Sequence, residues 1–128
     1  MIKRIIITAS LFGILAVILG AFGAHGMRAK ISPEELKTWE TAVHYHFYHV
    51  FALLFLSTFS RVRSRLINSA YWFFTFGIII FSGSLYLLAA KSVLGITQTS
   101  LLGPITPLGG LCFIIGWIAL LLAAIRNK

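Results

Sequence analysis

Four stretches of the chain are apolar and free of Asp, Glu, Lys and Arg: residues 5–24, 42–59, 70–90 and 104–125. A helix rises about 1.5 Å per residue, so runs of about 20 such residues match the hydrocarbon layer of a bilayer, about 30 Å thick. The segments between them are short: a polar one at 25–41, a basic one at 60–69 and another at 91–103. The pattern predicts helices over 5–24, 33–59, 69–90 and 106–125. The second is placed by its start. Ser32 is the candidate N-cap, Pro33 the first helical residue, and Glu35 the partner that reaches back to the cap. A helix from there to Phe59 is about 40 Å long, more than the bilayer needs. Its first two turns, with Glu34, Glu35, Lys37 and Glu40, therefore stand outside the apolar layer, and Trp39 falls at the interface. By the same reasoning Thr106 caps the fourth helix, Pro107 opens it, and "LLGP" before it is non-helical.

Small residues recur every four positions in the first run (Ala9–Gly13, Ala16–Gly20–Ala24) and in the last (Cys112–Gly116, Ala119–Ala123). Such stripes let helices approach closely in lipid, and they serve a bundle within one chain or a dimer face equally. The first run is longer than the core of a signal peptide, about 7–15 residues, and reads as a retained span.

Composition agrees: 59% hydrophobic and 11% charged over 128 residues, with a mean hydropathy of +0.93. The net charge of +8 does not point to nucleic acid, because the basic residues flank the apolar runs. With four spans and a cytoplasmic N-terminus, seven Lys and Arg fall inside (Lys3, Arg4, Arg61, Arg63, Arg65, Arg126, Lys128) and four outside. The inner excess places both termini in the cytoplasm and extends the second helix outward. "RVRSR" anchors that topology, and Arg61, Arg63 and Arg65 are candidate contacts for anionic lipids. Cys112 is the single cysteine, so an internal disulfide is excluded.

Four motifs occur in order: "LGAFGAHG" closing the first helix, "HYHFYH" opening the second, "FSGSLYLL" in the third and "TPLGG" opening the fourth. On these the chain resembles the YgdD family, small bacterial inner-membrane proteins with short eukaryotic relatives. The resemblance implies a four-helix polytopic protein of the inner membrane and brings no activity. His25, Tyr45 and His49 match family positions, whereas His44 and His46 depart from them.

The histidines of the second helix raise the question of chemistry. At about 100° per residue, and with Glu40 at zero, His44 lies near 40°, Tyr45 near 140°, His49 near 180° and His46 near 240°. The three histidines do not share a face, so one helix does not offer three ligands to one metal. No metal and no cofactor is expected. His49 lies about 10 Å below the outer boundary, level with Ser82 and Ser84 of the third helix. At that depth a polar group needs an internal partner. His49 is therefore expected to be buried, neutral and bonded at the Ser82/Ser84 level, with His44 and His46 interfacial and dispensable. His25, Tyr45 and Thr106 fall toward the same end. His25, Tyr45, His49, Ser82, Ser84 and Thr106 thus form a candidate outward polar cluster.

These readings make an all-α membrane protein, four transmembrane helices in an antiparallel bundle and one domain over 1–128. Its expected partners are the bilayer, anionic lipids or another membrane protein. Two functions fit. One is a non-enzymatic structural or partner- and lipid-binding protein whose cluster is a packing network. The other is a transporter or channel component using the cluster as a ligand, ion or proton site. An enzyme does not fit, because the chain has no Asp, no Ser–His–acid arrangement and no phosphate-binding loop.

Overall fold

The computed structural model describes residues 1–59 and 64–126, all of them in helices and the turns between helices. Arg61 and Arg63 lie outside the described residues. α1 spans Ile2–Phe22 and continues through a π-helical stretch, Gly23–Met27. α2 spans Pro33–Phe59. α3 (Arg65–Gly77) runs through a second π-helical stretch, Ile78–Ser82, into α4 (Gly83–Ala89). The four-residue α5 (Lys91–Leu94) follows, and Gly95 ends it with φ +69, a left-handed conformation that suits glycine. α6 spans Leu102–Arg126.

Three of these rods are long and apolar enough to cross a membrane: Ile2–Met27, Arg65–Ala89 and Leu102–Arg126. α2 matches them in length, and its histidines set it apart in hydropathy.

The start of α2 follows the sequence closely. The Ser32 N–H donates to Glu35 Oε1 at 3.1 Å, and the Glu35 N–H donates to Ser32 Oγ at 3.1 Å. Each side chain thus satisfies an amide that the first turn leaves open. α3 begins at Arg65 rather than 69, because Ser64 caps it by accepting from the Leu66 N–H at 3.1 Å. The start of α6 corrects the expectation for "LLGP". The helix begins at Leu102, so Thr106 is not a cap and Pro107 lies inside. Pro104 sits in the first turn, where its missing N–H has no helical partner to lose. The amides of Leu102 and Gly103 both donate to the Thr99 carbonyl at 3.1 Å, which sets the start.

Close approach decides how the rods pack. The stripe on α1 faces α2: a Cβ added to Gly13 would lie 3.6 Å from Val50, and one on Gly20 3.4 Å from Val43. α6 lies against α3 and its continuation, with the Phe113 ring over Gly77 and the Phe74 ring over Gly116. Gly109 meets the backbone of Phe81 in the second π stretch, so close that a Cβ would collide with it. Both small-residue stripes are therefore used inside the chain. Ile5, Leu53, Leu56, Ile67 and Phe74 are fully buried between the rods. The outward faces carry large apolar side chains such as Leu11, Ile14, Leu108, Ile114 and Leu121, a surface suited to lipid.

Two predictions follow from this packing and capping. Gly109→Ala is expected to lower thermal stability in detergent by about 1–3 kcal/mol, since backbone cannot step aside as a side chain can. Gly83→Ala, which meets nothing within 4 Å, is the matched control and is expected to be neutral or better. Equal losses would refute the packing argument.

Glu35 gives the second. Hydrogen bonding from the Ser32 amide, then from the Ser32 and Ser92 hydroxyls, with Lys91 nearby, holds its carboxyl below the ordinary value of 4.5. A depressed carboxyl stabilises the fold above the unfolded value and loses that contribution as pH falls through the folded one. Protection of the Ser32 amide, taken relative to its intrinsic exchange rate, is therefore expected to fall as pH drops below about 4.5, and Glu35→Gln to remove that dependence. A pH dependence of Ser32 protection that is identical in the variant would sink the assignment.

Candidate functional site

α2 carries the polar side chains inward. Ala42, His46, His49 and Leu53 are buried along it, while His44, Tyr45 and Tyr48 are exposed. His49 Nδ1 lies 2.8 Å from the Tyr45 carbonyl one turn back. Trp117 Nε1 of α6 lies 3.1 Å from His49 Nε2. The carbonyl only accepts and the indole N–H only donates. The two partners therefore fix His49 as the neutral imidazole with its proton on Nδ1. Phe113 stacks on the ring, with centroids 3.5 Å apart and planes 7° from parallel.

His46 is also buried, 3% exposed. Its Nδ1 lies 2.9 Å from the Tyr86 hydroxyl of α4. The Phe12 ring meets the imidazole edge-on, with centroids 5.9 Å apart. His46 Nε2 has no hydrogen-bond partner.

The serines pair elsewhere. Ser82 Oγ donates to the Ala42 carbonyl at 2.9 Å and so ties the third rod to α2. Ser84 Oγ donates to the Phe81 carbonyl at 2.9 Å and lies 2.6 Å from Thr106 Oγ1. Thr106 Oγ1 also lies 3.4 Å from the Leu102 carbonyl, so each hydroxyl of the pair has a backbone carbonyl of its own rod within reach. Trp39 Nε1 donates to the Leu19 carbonyl at 2.9 Å, closing α2 onto α1. A second polar group lies near the start of α1. Thr8 Oγ1 and the Tyr71 hydroxyl are 2.8 Å apart, and Arg4 donates to Asn68 at 2.9 Å while lying over the Tyr71 and Trp72 rings.

The expected cluster is therefore present as separate pairs. His49 is bonded to Trp117 and Tyr45, not at the Ser82/Ser84 level. Ser84 and Thr106 come together, Ser82 reaches backbone, and Tyr45 contributes its carbonyl while its ring packs on Phe81. His25 is exposed in the first π stretch and joins none of these bonds. His46 is buried rather than interfacial, because its position near 240° on the wheel faces α1 and α4. His44 is exposed and stacks on Tyr48. Tyr86 and Trp117 were not anticipated. An indole N–H inside an apolar helix needs an acceptor, and that signal was available. Among the described residues no three His, Cys, Asp or Glu side chains converge as metal ligands do.

Helices of spanning length with apolar outer faces and internally paired polar groups define a helical membrane protein. Residues 19–110 match the family model described as "Protein of unknown function (DUF423)", and the chain belongs to that family. It is 47% identical over 124 residues to the UPF0382 membrane protein SAB0533 of Staphylococcus aureus, covering 97% of each chain. It is 44% identical over 126 residues to the UPF0382 membrane protein YwdK of Bacillus subtilis, covering 97% of this chain and 98% of YwdK. No solved structure matches. The protein is thus a bacterial-type membrane protein whose family has no known function.

The bond between α2 and α6 is open to measurement. A double-mutant cycle on His49→Leu and Trp117→Phe in detergent is expected to give a favourable coupling of about 0.6–1.7 kcal/mol, the range for interhelical hydrogen bonds in membranes. His46→Leu is expected to destabilise comparably, and His44→Leu to be neutral. Additive His49 and Trp117 effects, with His44→Leu as costly as the others, would overturn the pairing.

Proposed function

We propose that this chain is a non-enzymatic, four-span protein of the bacterial inner membrane, an antiparallel bundle with both termini in the cytoplasm. Its buried polar residues act as an interhelical hydrogen-bond network that fixes helix register, and its contacts with lipid or partner proteins lie on the surface. The observation that carries this reading is the saturation of His49: one nitrogen bonds within α2, the other takes the indole of α6, and Phe113 covers the ring face. A ligand or proton site would need that nitrogen free. α2 counts as the fourth span because residues 42–59 contain no Asp, Glu, Lys or Arg and its buried face bonds to α1, α4 and α6. The excess of Lys and Arg beside the two termini and the 60–69 segment supports the orientation. Arg65, exposed at the start of α3, with Arg61 and Arg63 beside it in sequence, suits anionic headgroups. Within the family, the four ordered motifs support grouping the chain with the YgdD proteins.

The transporter or channel reading draws on one observation, the unpartnered His46 Nε2. A polar residue kept for function at a cost in stability is expected to give a stabilised protein when replaced, so a higher melting temperature for His46→Leu would favour that reading.

Cysteine labelling tests the architecture. In a Cys112→Ser background, a membrane-impermeant maleimide added from outside is expected to label Glu34→Cys and to spare Ser64→Cys. The reverse pattern would overturn the orientation, and labelling of both would remove α2 from the spans.

A further inference from the structure

The end of α1, its π-helical continuation and the first turns of α2 enclose an open depression of about 210 Å³. Buried Gly23, Val43 and Trp39 form its floor, and exposed Ala24, Glu40 and His44 its rim. The space exists because glycine stands where a side chain would intrude. A Cβ at Gly23 would run into the Trp39 indole, which cannot swing away while Nε1 holds the Leu19 carbonyl.

The electrostatics of this place run against the rest of the molecule. The chain carries eleven Lys and Arg against three acidic residues. Yet Glu40 makes no hydrogen bond or ion pair with any described residue. Ala24 lies in the last turns of the rod Ile2–Met27, where the helix dipole presents its negative end. A lone carboxylate and a helix carboxyl end thus face one depression, and both favour a cation. Trp39 marks the level as the membrane interface. Val17, Ile18 and Phe22 on the adjoining stretch of α1 are exposed apolar side chains.

We propose that this depression docks a phospholipid whose headgroup ends in a primary ammonium, of which phosphatidylethanolamine is the simplest. The ammonium donates to the Glu40 carboxylate, and the acyl chains lie along the exposed face of α1. A trimethylammonium headgroup has no N–H to donate, and an acidic headgroup meets the wrong charge. This goes beyond the four-span reading. It needs only α1 and α2 to meet at a membrane surface, and it holds for either orientation.

Native mass spectrometry of the delipidated full-length protein, titrated with dioleoyl phosphatidylethanolamine, phosphatidylcholine or phosphatidylglycerol, tests it. Phosphatidylethanolamine is expected to bind about fivefold more tightly than phosphatidylcholine, as befits a charge-assisted bond at a partly exposed site. Glu40→Gln, isosteric and exposed, is expected to erase the preference without changing the melting temperature, while Glu34→Gln keeps it. Ala24→Leu fills the depression with the charge intact and is expected to weaken phosphatidylethanolamine binding. Equal affinity for the two zwitterionic lipids, a preference that survives Glu40→Gln or Ala24→Leu, or a dominant preference for phosphatidylglycerol would each overturn the proposal. None of these outcomes bears on the labelling pattern that tests the topology.

Discussion

A polar group inside a hydrocarbon layer has no water to fall back on, and this one constraint organises the molecule. Each polar side chain on an apolar rod must bond to its own backbone or reach a neighbouring rod. His46 reaches Tyr86, His49 accepts from Trp117, Ser82 holds the Ala42 carbonyl, and Thr106 holds Ser84. Two of these bonds join α2 to the rod of α3 and α4, one joins α2 to α6 and one joins α4 to α6, so together they fix relative heights that apolar contact alone leaves free to slide. Individually they are weak, about 0.6 kcal/mol on average in membranes. Their value lies in specifying one register, since shifting α2 by one residue would turn His46 and His49 about 100° away from their partners.

Dispersion supplies the rest, because lipid tails are as apolar as leucine and give no hydrophobic drive for helices to associate. Contact must then be closer than lipid can achieve. α6 meets this need by pairing glycine with phenylalanine in both directions: Phe113 lies over Gly77, and Phe74 over Gly116. The second π stretch belongs to the same device. It lies where Gly109 abuts the backbone of Phe81, and the wider turn at Ile78–Ser82 ends on Ser82 and re-aims the chain just before Ser84. One local irregularity thus serves both the close contact and the two serine bonds.

Element type and the start of α2 were legible because they depend on local chemistry. The Ser32–Glu35 pair is read from four residues and appears as written. The start of α6 was misread for a related reason. Two prolines offered two local solutions, and the choice between them rests on the Thr99 carbonyl, which sequence does not point to. The site was harder. Depth put His49 inside and His44 at the interface, while the helical wheel put His46 on a third face. Assigning that face to water or headgroups required knowing where α1 lies. Depth placed His49 level with the serines, but equal depth is not contact, and Trp117 stands closer. Partner choice between rods depends on azimuth, which no run of hydropathy encodes.

The contrast between interior and rim bears on what such a protein can do. A carrier needs polar groups that exchange partners, and here the buried ones among the described residues are already bonded to backbone or to a neighbouring rod. His49 is fixed in one tautomer by a pure acceptor and a pure donor, so taking a proton would break the indole bond. His46 keeps one free nitrogen, but it is sealed by Phe12 and packed against α1 rather than opening to a channel. Other groups that retain unspent capacity are at the surface: the Glu40 carboxylate and the exposed histidines His25 and His44. Among the described residues that capacity lies mostly at the edges, which supports the proposed role of presenting surfaces to lipids or neighbours. A profile for moving something through its middle would place the unspent groups the other way round.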